Sequence, residues 1–244
     1  MTAVIAVSCK TEISNNKSDL ELANMKGKVW RVERKIHNAN AVSACPAAEK
    51  AACNQSVFIY NEKGYLTESS DIDNSGEIAL NCKYVYNRHN VCNEVNKFTG
   101  DRLVGKEVNV LNADKLEEVR LFNEFGENEK IFKYEYSGDL LVDEKTLNST
   151  GEVESSVHNE YLNGHLESQT KKDANNEITS VIKYKRNSRN DIIEYTITLP
   201  KGNMEYRFIF EYEYDNEGNW TKQTQFYNGM IESITIRNIE YFSV

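Results

Sequence analysis

The chain has 244 residues, with 29 Lys plus Arg against 38 Asp plus Glu and a net charge of -9. That acidic balance repels a phosphate backbone and argues against nucleic acid as a partner. A mean hydropathy of -0.64 leaves no run of about 18 apolar residues to cross a bilayer as a helix. Fourteen Tyr and nine Phe against two Pro favour strands, because aromatic rings suit a pleated, half-buried surface and Pro breaks ladders.

At the start of the chain, the small apolar run Thr2 to Ser8 leads directly into Cys9 and a polar stretch from Lys10. This resembles the end of a bacterial lipoprotein signal, in which cleavage before the Cys frees it for acylation, although Ala6 stands where that signal usually has Leu. The resemblance implies lipidation at Cys9, membrane contact through the lipid anchor only, and an outer-membrane lipoprotein of the bacterial cell envelope, on its periplasmic or surface face. Residues 1–9 are then signal remnant and anchor. Residues 10–26 form a flexible tether too polar to offset the entropy of ordering, and 27–244 are one β-repeat domain.

Four further cysteines permit three pairings. Cys45 and Cys53 bracket a short helix-prone loop from Pro46 to Ala52 and are the candidate disulfide. A turn centred between Arg88 and His89 would put Cys82, Tyr84, Tyr86, Val91 and Val95 on one face and Cys92 on the other, which disfavours a Cys82–Cys92 bridge. No close Cys-x-x-Cys pair is present to hold zinc.

The strongest signal after Val57 is a repeat. One series of turn formers runs through Gly76, Gly100, Gly126, Gly151, Asn176, Gly202 and Gly229, at intervals of 24 to 27 residues. A second, interleaved series runs through Gly64, Asn90, Asp114, Gly138, Gly164, Asn190 and Gly218. Gly and Asn recur because tight hairpins need a positive φ. Between turns the residues alternate: in Phe208 to Tyr214 four aromatics share one face while Glu211 and Glu213 take the other, and Ile193, Tyr195, Ile197 and Leu199 form a similar stripe. Burying the four aromatics contributes on the order of 6–12 kcal/mol before ordering entropy is subtracted.

The fold expected is therefore all-β: a long antiparallel meander of about seven hairpin repeats of roughly 25 residues each. Some fourteen strands with one apolar face cannot lie flat, so the sheet must be curled, layered or spiral. A membrane barrel is disfavoured, because Glu and Lys fall in mid-strand where a lipid face must be apolar.

The stretch Tyr212 to Lys222 carries an aromatic pair, an Asp215-Asn-Glu-Gly218 turn and a return strand with Trp220. It resembles the tyrosine-aspartate repeats of RHS-type proteins. Looser copies occur at Ile59–Leu66, Tyr84–Val91 and Lys133–Gly138. With the lead-in Met25 to Trp30, the chain is similar to repeat lipoproteins of Bacteroidetes. The resemblance implies a curled sheet in the cell envelope with no enzymatic activity or catalytic residues to transfer.

Candidate sites are few. Asp71, Asp73 and Ser75 precede Gly76 like the start of a calcium loop, but the twelfth position would be Cys82, and an Asp-rich hairpin turn accounts for the pattern. The four histidines His37, His89, His158 and His165 have no metal-ligand spacing; a turn at Asn163-Gly164 would pair Leu162 with His165 and His158 with Gln169. Trp220 with Tyr212, Tyr214, Phe226 and Tyr227 offers a stacking platform for a sugar or peptide, or packs as core. No catalytic motif is present and no cofactor is called for. The reading is a non-catalytic envelope protein whose sheet binds or scaffolds a protein or glycan partner. The alternatives are a glycan-active enzyme, which requires two facing carboxylates about 5–10 Å apart, and an RHS-type structural shell.

Overall fold

The structure, a computed structural model, describes residues 17–38, 53–112 and 115–243. Cys9 and Cys45 lie outside the described residues, as does residue 114 of the second turn series. One helical turn, α1 (Asp19–Leu22), precedes sixteen strands. These are β1 (Val29–Asn38), β2 (Cys53–Tyr60), β3 (Leu66–Ile72), β4 (Ile78–Tyr86), β5 (Cys92–Thr99) and β6 (Arg102–Asn112). They continue with β7 (Lys115–Asn123), β8 (Asn128–Ser137), β9 (Leu140–Asn148), β10 (Val153–Leu162) and β11 (His165–Asp173). The last are β12 (Ile178–Arg186), β13 (Ile192–Leu199), β14 (Met204–Tyr214), β15 (Trp220–Tyr227) and β16 (Met230–Tyr241).

Each strand pairs antiparallel with the next, and β1 pairs with both β2 and β16, so the sheet closes into a sixteen-stranded barrel. The open curled or spiral meander expected from the sequence is corrected by this closure. Pairing runs from Val29 opposite Tyr241 to Asn38 opposite Ser233, which removes the two bare edges a meander would leave.

Closure follows from features repeated in the hairpins. On the return strand of thirteen of them one extra residue interrupts the ladder near the turn, for example Thr67, Asn93, Glu117, Glu167, Thr179 and Thr221. Such bulges bend the strand and increase its twist, so their curvature accumulates around the ring. The hydroxyls of Thr67, Thr179 and Thr221 donate across the hairpin to the carbonyls of Ile59, Lys171 and Glu213 at 3.1, 3.2 and 3.4 Å.

The two turn series map onto the two rims. Gly64, Gly138, Gly164 and Gly218 lie with Asn90 and Asn190 on the rim beside α1, here the near rim; Gly76, Gly100, Gly126, Gly151, Asn176 and Gly229 lie on the far rim, and all have positive φ. At Gly202 the left-handed residue is instead its neighbour Asn203, which ends the short helical turn Pro200–Gly202. The longer turns share one design. Asn61, Asp73, Asn87, Asn123, Asn148, Asp173 and Asn187 each accept, through Oδ1, from the backbone N–H groups two and four residues on. The side chain mimics a turn of backbone and fixes where each hairpin reverses.

Burial alternates along the strands, as in β14, where Tyr206, Phe208, Phe210, Tyr212 and Tyr214 are covered and Arg207, Ile209, Glu211 and Glu213 are exposed. Following the cross-strand partners around the ring gives one continuous inner face and one outer face. The outer face carries ion pairs along the strands, including Arg31–Glu240 at 2.5 Å, Lys145–Glu135 at 2.8 Å, Arg207–Glu194 at 2.6 Å and Lys222–Glu213 at 2.7 Å.

Two buried clusters anchor separate arcs of the ring. Leu116, Val119, Tyr134 and Leu141 form one on β7 to β9. Leu20 and Met25 join Val29, Val32, Tyr60 and Leu66 in the other. The latter brings in residues 17–28, part of the stretch expected as a tether. Ser18 and Glu21 form a reciprocal cap on α1, and Asp19 accepts from the Leu66 N–H and the Tyr86 hydroxyl, both at 2.8 Å. Farther along, Asn24 donates to the Arg189 carbonyl at 3.0 Å, and Asn219 accepts from the Lys26 N–H at 2.7 Å. The segment is thus a latch stitching three near-rim turns together.

Candidate functional site

The inner wall is aromatic. Every tyrosine except Tyr65 faces inward, together with Phe58, Phe132, Phe208, Phe210 and Trp220. Two tyrosines act as struts: the hydroxyls of Tyr161 and Tyr212 donate to the carbonyls of Leu141 and Ile192 at 2.8 and 2.6 Å. Across β12 to β15 the rings form a ladder. Tyr184 and Tyr195 lie 6.5 Å apart, Tyr195 and Phe208 4.8 Å, and Phe208 stacks on Tyr227 at 5.2 Å. Loss of the hydroxyl proton is disfavoured along this wall, where burial pushes Tyr184, Tyr195 and Tyr212 up to about 12.

Beside the ladder the wall becomes polar and cationic. Gln223, Gln225, Ser233 and Thr235 face inward on β15 and β16. Next to them Arg237 and Arg34 are direct cross-strand partners on the inner face, an arrangement that places two cations about 4.5–5.5 Å apart at Cβ. The Arg237 guanidinium sits 3.3 Å from the centre of the Trp220 ring, and Arg34 lies over Phe58 at 5.1 Å. Arg34 also donates to the Ser56 hydroxyl at 3.3 Å, which in turn donates to Asp71 at 2.8 Å. Burial, and after it the charge of Arg34, pushes the Arg237 guanidinium down to about 9.

A shallow cleft of about 240 Å³ opens at the near rim between the β10–β11 and β12–β13 turns, lined by His165, Leu166, Tyr184, Arg186 and Asn190. Arg186 spans it by donating to the Asn190 carbonyl at 2.9 Å.

The residues singled out in the sequence are distributed over these features. Tyr212, Tyr214, Trp220 and Tyr227 all face inward; Tyr212 lies 6.1 Å from Tyr214 and 5.9 Å from Trp220. Phe226 is separated from them, since it pairs with Ile209 on the outer face. Asp71 and Asp73 diverge: Asp71 points inward to Ser56, while Asp73 accepts from the Ser75 hydroxyl and backbone and from the Glu77 N–H within its turn. Hydrogen bonding from Ser75 holds the Asp73 carboxyl below its usual range. Among the described residues no three His, Cys, Asp or Glu side chains converge.

Bulges revise two registers. The extra residue Asn93 sets Cys92 opposite Tyr86 on the same inner face as Cys82, and both thiols are free. Burial pushes Cys92 up to about 12. Leu162 pairs with His165 as expected, but Glu167 shifts His158 opposite Thr170, and its ring lies 2.9 Å from Asp143 on the outer face. Sequence reasoning missed the Arg34–Arg237 pair, whose partners come from the first and last strands. The signal was an inward-phase Arg in two strands whose other inward positions are mostly apolar or uncharged.

No family model matches the chain, and no curated protein matches it. Among solved structures, a porin-like protein from Bacteroides uniformis shares the fold with a TM-score of 0.60 at 13% identity, covering 88% of this chain and 99% of its own. A porin-like protein from Bacteroides vulgatus gives a TM-score of 0.46 at 12% identity, with the same coverages of 88% and 99%. The Tc holotoxin pore of Photorhabdus luminescens gives 0.34 at 17% identity, over 75% of this chain and 9% of that one.

Proposed function

We propose that this chain is a non-enzymatic envelope protein whose barrel holds a glycan against its inner aromatic wall. The observation that carries the reading is the phase of the aromatics: the tyrosine wall faces the interior, beside inward amides and hydroxyls. Aromatic faces stack on sugar rings while amides and hydroxyls bond their hydroxyl groups, a combination typical of binding sites with a few placed polar groups. In this reading the barrel is hung from an outer-membrane lipid at Cys9, and its units derive from tyrosine-aspartate repeats, supported by the Tyr212, Asp215 and Trp220 arrangement.

The outer wall argues for a barrel bathed in water. Placing Arg207 or Lys145 in hydrocarbon would cost up to about 2–4 kcal/mol each at the bilayer midplane, and their carboxylate partners would be desolvated as well. Against the enzyme alternative, Asp71 is engaged by the Ser56 hydroxyl, the inward Glu107 by Lys97 at 2.8 Å, and Asp19, Asp191 and Asp215 by Tyr hydroxyls.

The test is a titration with neutral oligosaccharides, following Trp220 fluorescence in a Trp30→Phe background. Saturable quenching that weakens in Tyr227→Ala is expected. An unchanged signal across a panel of neutral and acidic glycans would remove the proposal.

A further inference from the structure

We propose that the near-rim cleft is a subsite for one neutral sugar ring, received through its hydroxyls by Arg186 and Asn190; this rests on the glycan reading above. Two polar atoms there are buried and make no hydrogen bond: Arg186 Nε, a donor, and Asn190 Oδ1, an acceptor. Buried polar groups are nearly always paired, and an orphan keeps the full cost of its desolvation. Arg186 makes a single hydrogen bond among the described residues, from Nη1 to the Asn190 carbonyl at 2.9 Å, and no ion pair. That bond holds the two residues together at the β12–β13 turn. Both line the cleft of about 240 Å³, so rotation of the guanidinium and the amide brings the orphaned atoms to its open volume.

A donor and an acceptor left side by side call for a group that accepts and donates at once, as a hydroxyl does and a carboxylate or an ammonium does not. Charge points the same way. Glu167 also lines the cleft, so one full anion balances one full cation. The apolar part of the lining, Leu162, Leu166 and the Tyr184 ring, suits the C–H face of a pyranose. The Tyr184 hydroxyl is already taken, donating to Gln169 Oε1 at 2.5 Å; what Tyr184 brings is its ring. The volume lies below the roughly 300–1,000 Å³ of sites for drug-sized ligands. It holds one ring of a chain whose remainder follows the aromatic ladder inward, from Tyr184 to Tyr195 at 6.5 Å.

Two substitutions separate the subsite from the fold. Asn190 has a φ of 60°, which glycine takes without strain, so Asn190→Gly removes Oδ1 and leaves the carbonyl that holds Arg186. Arg186→Lys keeps the charge and a donor for that carbonyl but removes Nε. Each is expected to weaken binding of a neutral glycoside roughly two- to tenfold, the loss of one hydrogen bond. The melting temperature of ligand-free Asn190→Gly should be unchanged or raised.

The experiment titrates methyl glucoside, methyl galactoside and sodium glucuronate, at constant ionic strength, into the wild type, both variants and Glu167→Gln. It is read by the ring resonances of His165, which lines the cleft, with His158 on the outer face as internal control. A His165 shift that saturates with a neutral glycoside, at higher concentration in Asn190→Gly and Arg186→Lys, is expected. Glucuronate should bind less well than methyl glucoside, and Glu167→Gln should narrow that gap; a preference for glucuronate in the wild type would overturn the neutral assignment. His165 unmoved by either neutral glycoside, or moved equally in the wild type and both variants, would sink the subsite and mean that water alone meets the orphaned atoms. If neutral oligosaccharides still quench Trp220 in that case, the glycan reading stands without it. An Arg186-dependent shift at His165 with no oligosaccharide quenching Trp220 would do the reverse, keeping the cleft and removing the inner wall as the glycan's seat.

Discussion

Gly64 on the near rim and Gly76 on the far rim occupy the same position in turns of one design. Each takes a positive φ three residues after an Asx side chain that accepts the turn's N–H groups. Their surroundings differ. A Cβ at Gly64 would meet the Ser18 hydroxyl oxygen at 2.9 Å and Leu20 Cδ1 at 3.2 Å, whereas at Gly76 nothing lies within 4 Å. Identical local chemistry therefore serves two purposes: on the far rim the turn only reverses the chain, and on the near rim it is also the floor on which the latch sits.

The largest expected contrast between the rims comes from their apolar contacts. Leu66 lies under the latch at 2% exposure, while Ile178 at the far rim is 41% exposed. Leu66→Ala should cost about 2–5 kcal/mol, and Ile178→Ala less than about 1 kcal/mol, measured by urea denaturation. Similar losses at both sites would mean that the latch is undocked in solution.

A sharper version uses the glycines themselves. Both Gly64→Ala and Gly76→Ala carry the backbone penalty of about 1–2 kcal/mol for a left-handed residue with a Cβ. Gly64→Ala should add roughly 1–3 kcal/mol of overpacking against Ser18 and Leu20. Removing residues 1–22 should erase that added cost and bring the two variants level, which protein stability curves of the truncated pair would check.

The smallest effect is one of pH. Burial raises the Asp19 carboxyl above 3.8, outweighing the hydrogen bonds from Leu66 and Tyr86 that lower it. Protonation therefore favours the folded state. This contribution is complete below 3.8 and is lost as the pH rises through the raised value. Relative to Asp19→Asn, the wild type should lose stability over that interval. Parallel pH profiles for the two proteins would show that Asp19 is solvated.

These comparisons also mark what could be read before the fold was known. The two turn series were legible because a positive φ restricts residue choice at a single position, and they turned out to be the two rims. The shared face of Tyr212 and Tyr214 followed from alternation, whereas Trp220 and Tyr227, an odd number of residues apart, share it only through the bulge at Thr221. Closure was not legible, because it is a sum of small bends made by residues as different as Thr67, Asn93 and Glu167, which have no shared identity. The same bulges reversed the expected face of Cys92 and displaced the partner of His158. Phe226 was misgrouped with its neighbours because it precedes Tyr227 by one residue and so points the other way. The Arg34–Arg237 pair depends on a contact between the first and last strands that only ring closure creates.

A further consequence lies in the pairing of β1 with β16. Strands that alternate in direction can meet in this antiparallel way only if their number is even, so an ancestor could have widened or narrowed the ring only by whole hairpins. Every such change keeps entry and exit of the chain side by side, as Phe242 and Lys28 are now, joined by a backbone bond of 2.8 Å. An anchor upstream, as proposed at Cys9, would then always suspend the cylinder from its latched mouth and point the opposite opening away from the surface that carries it.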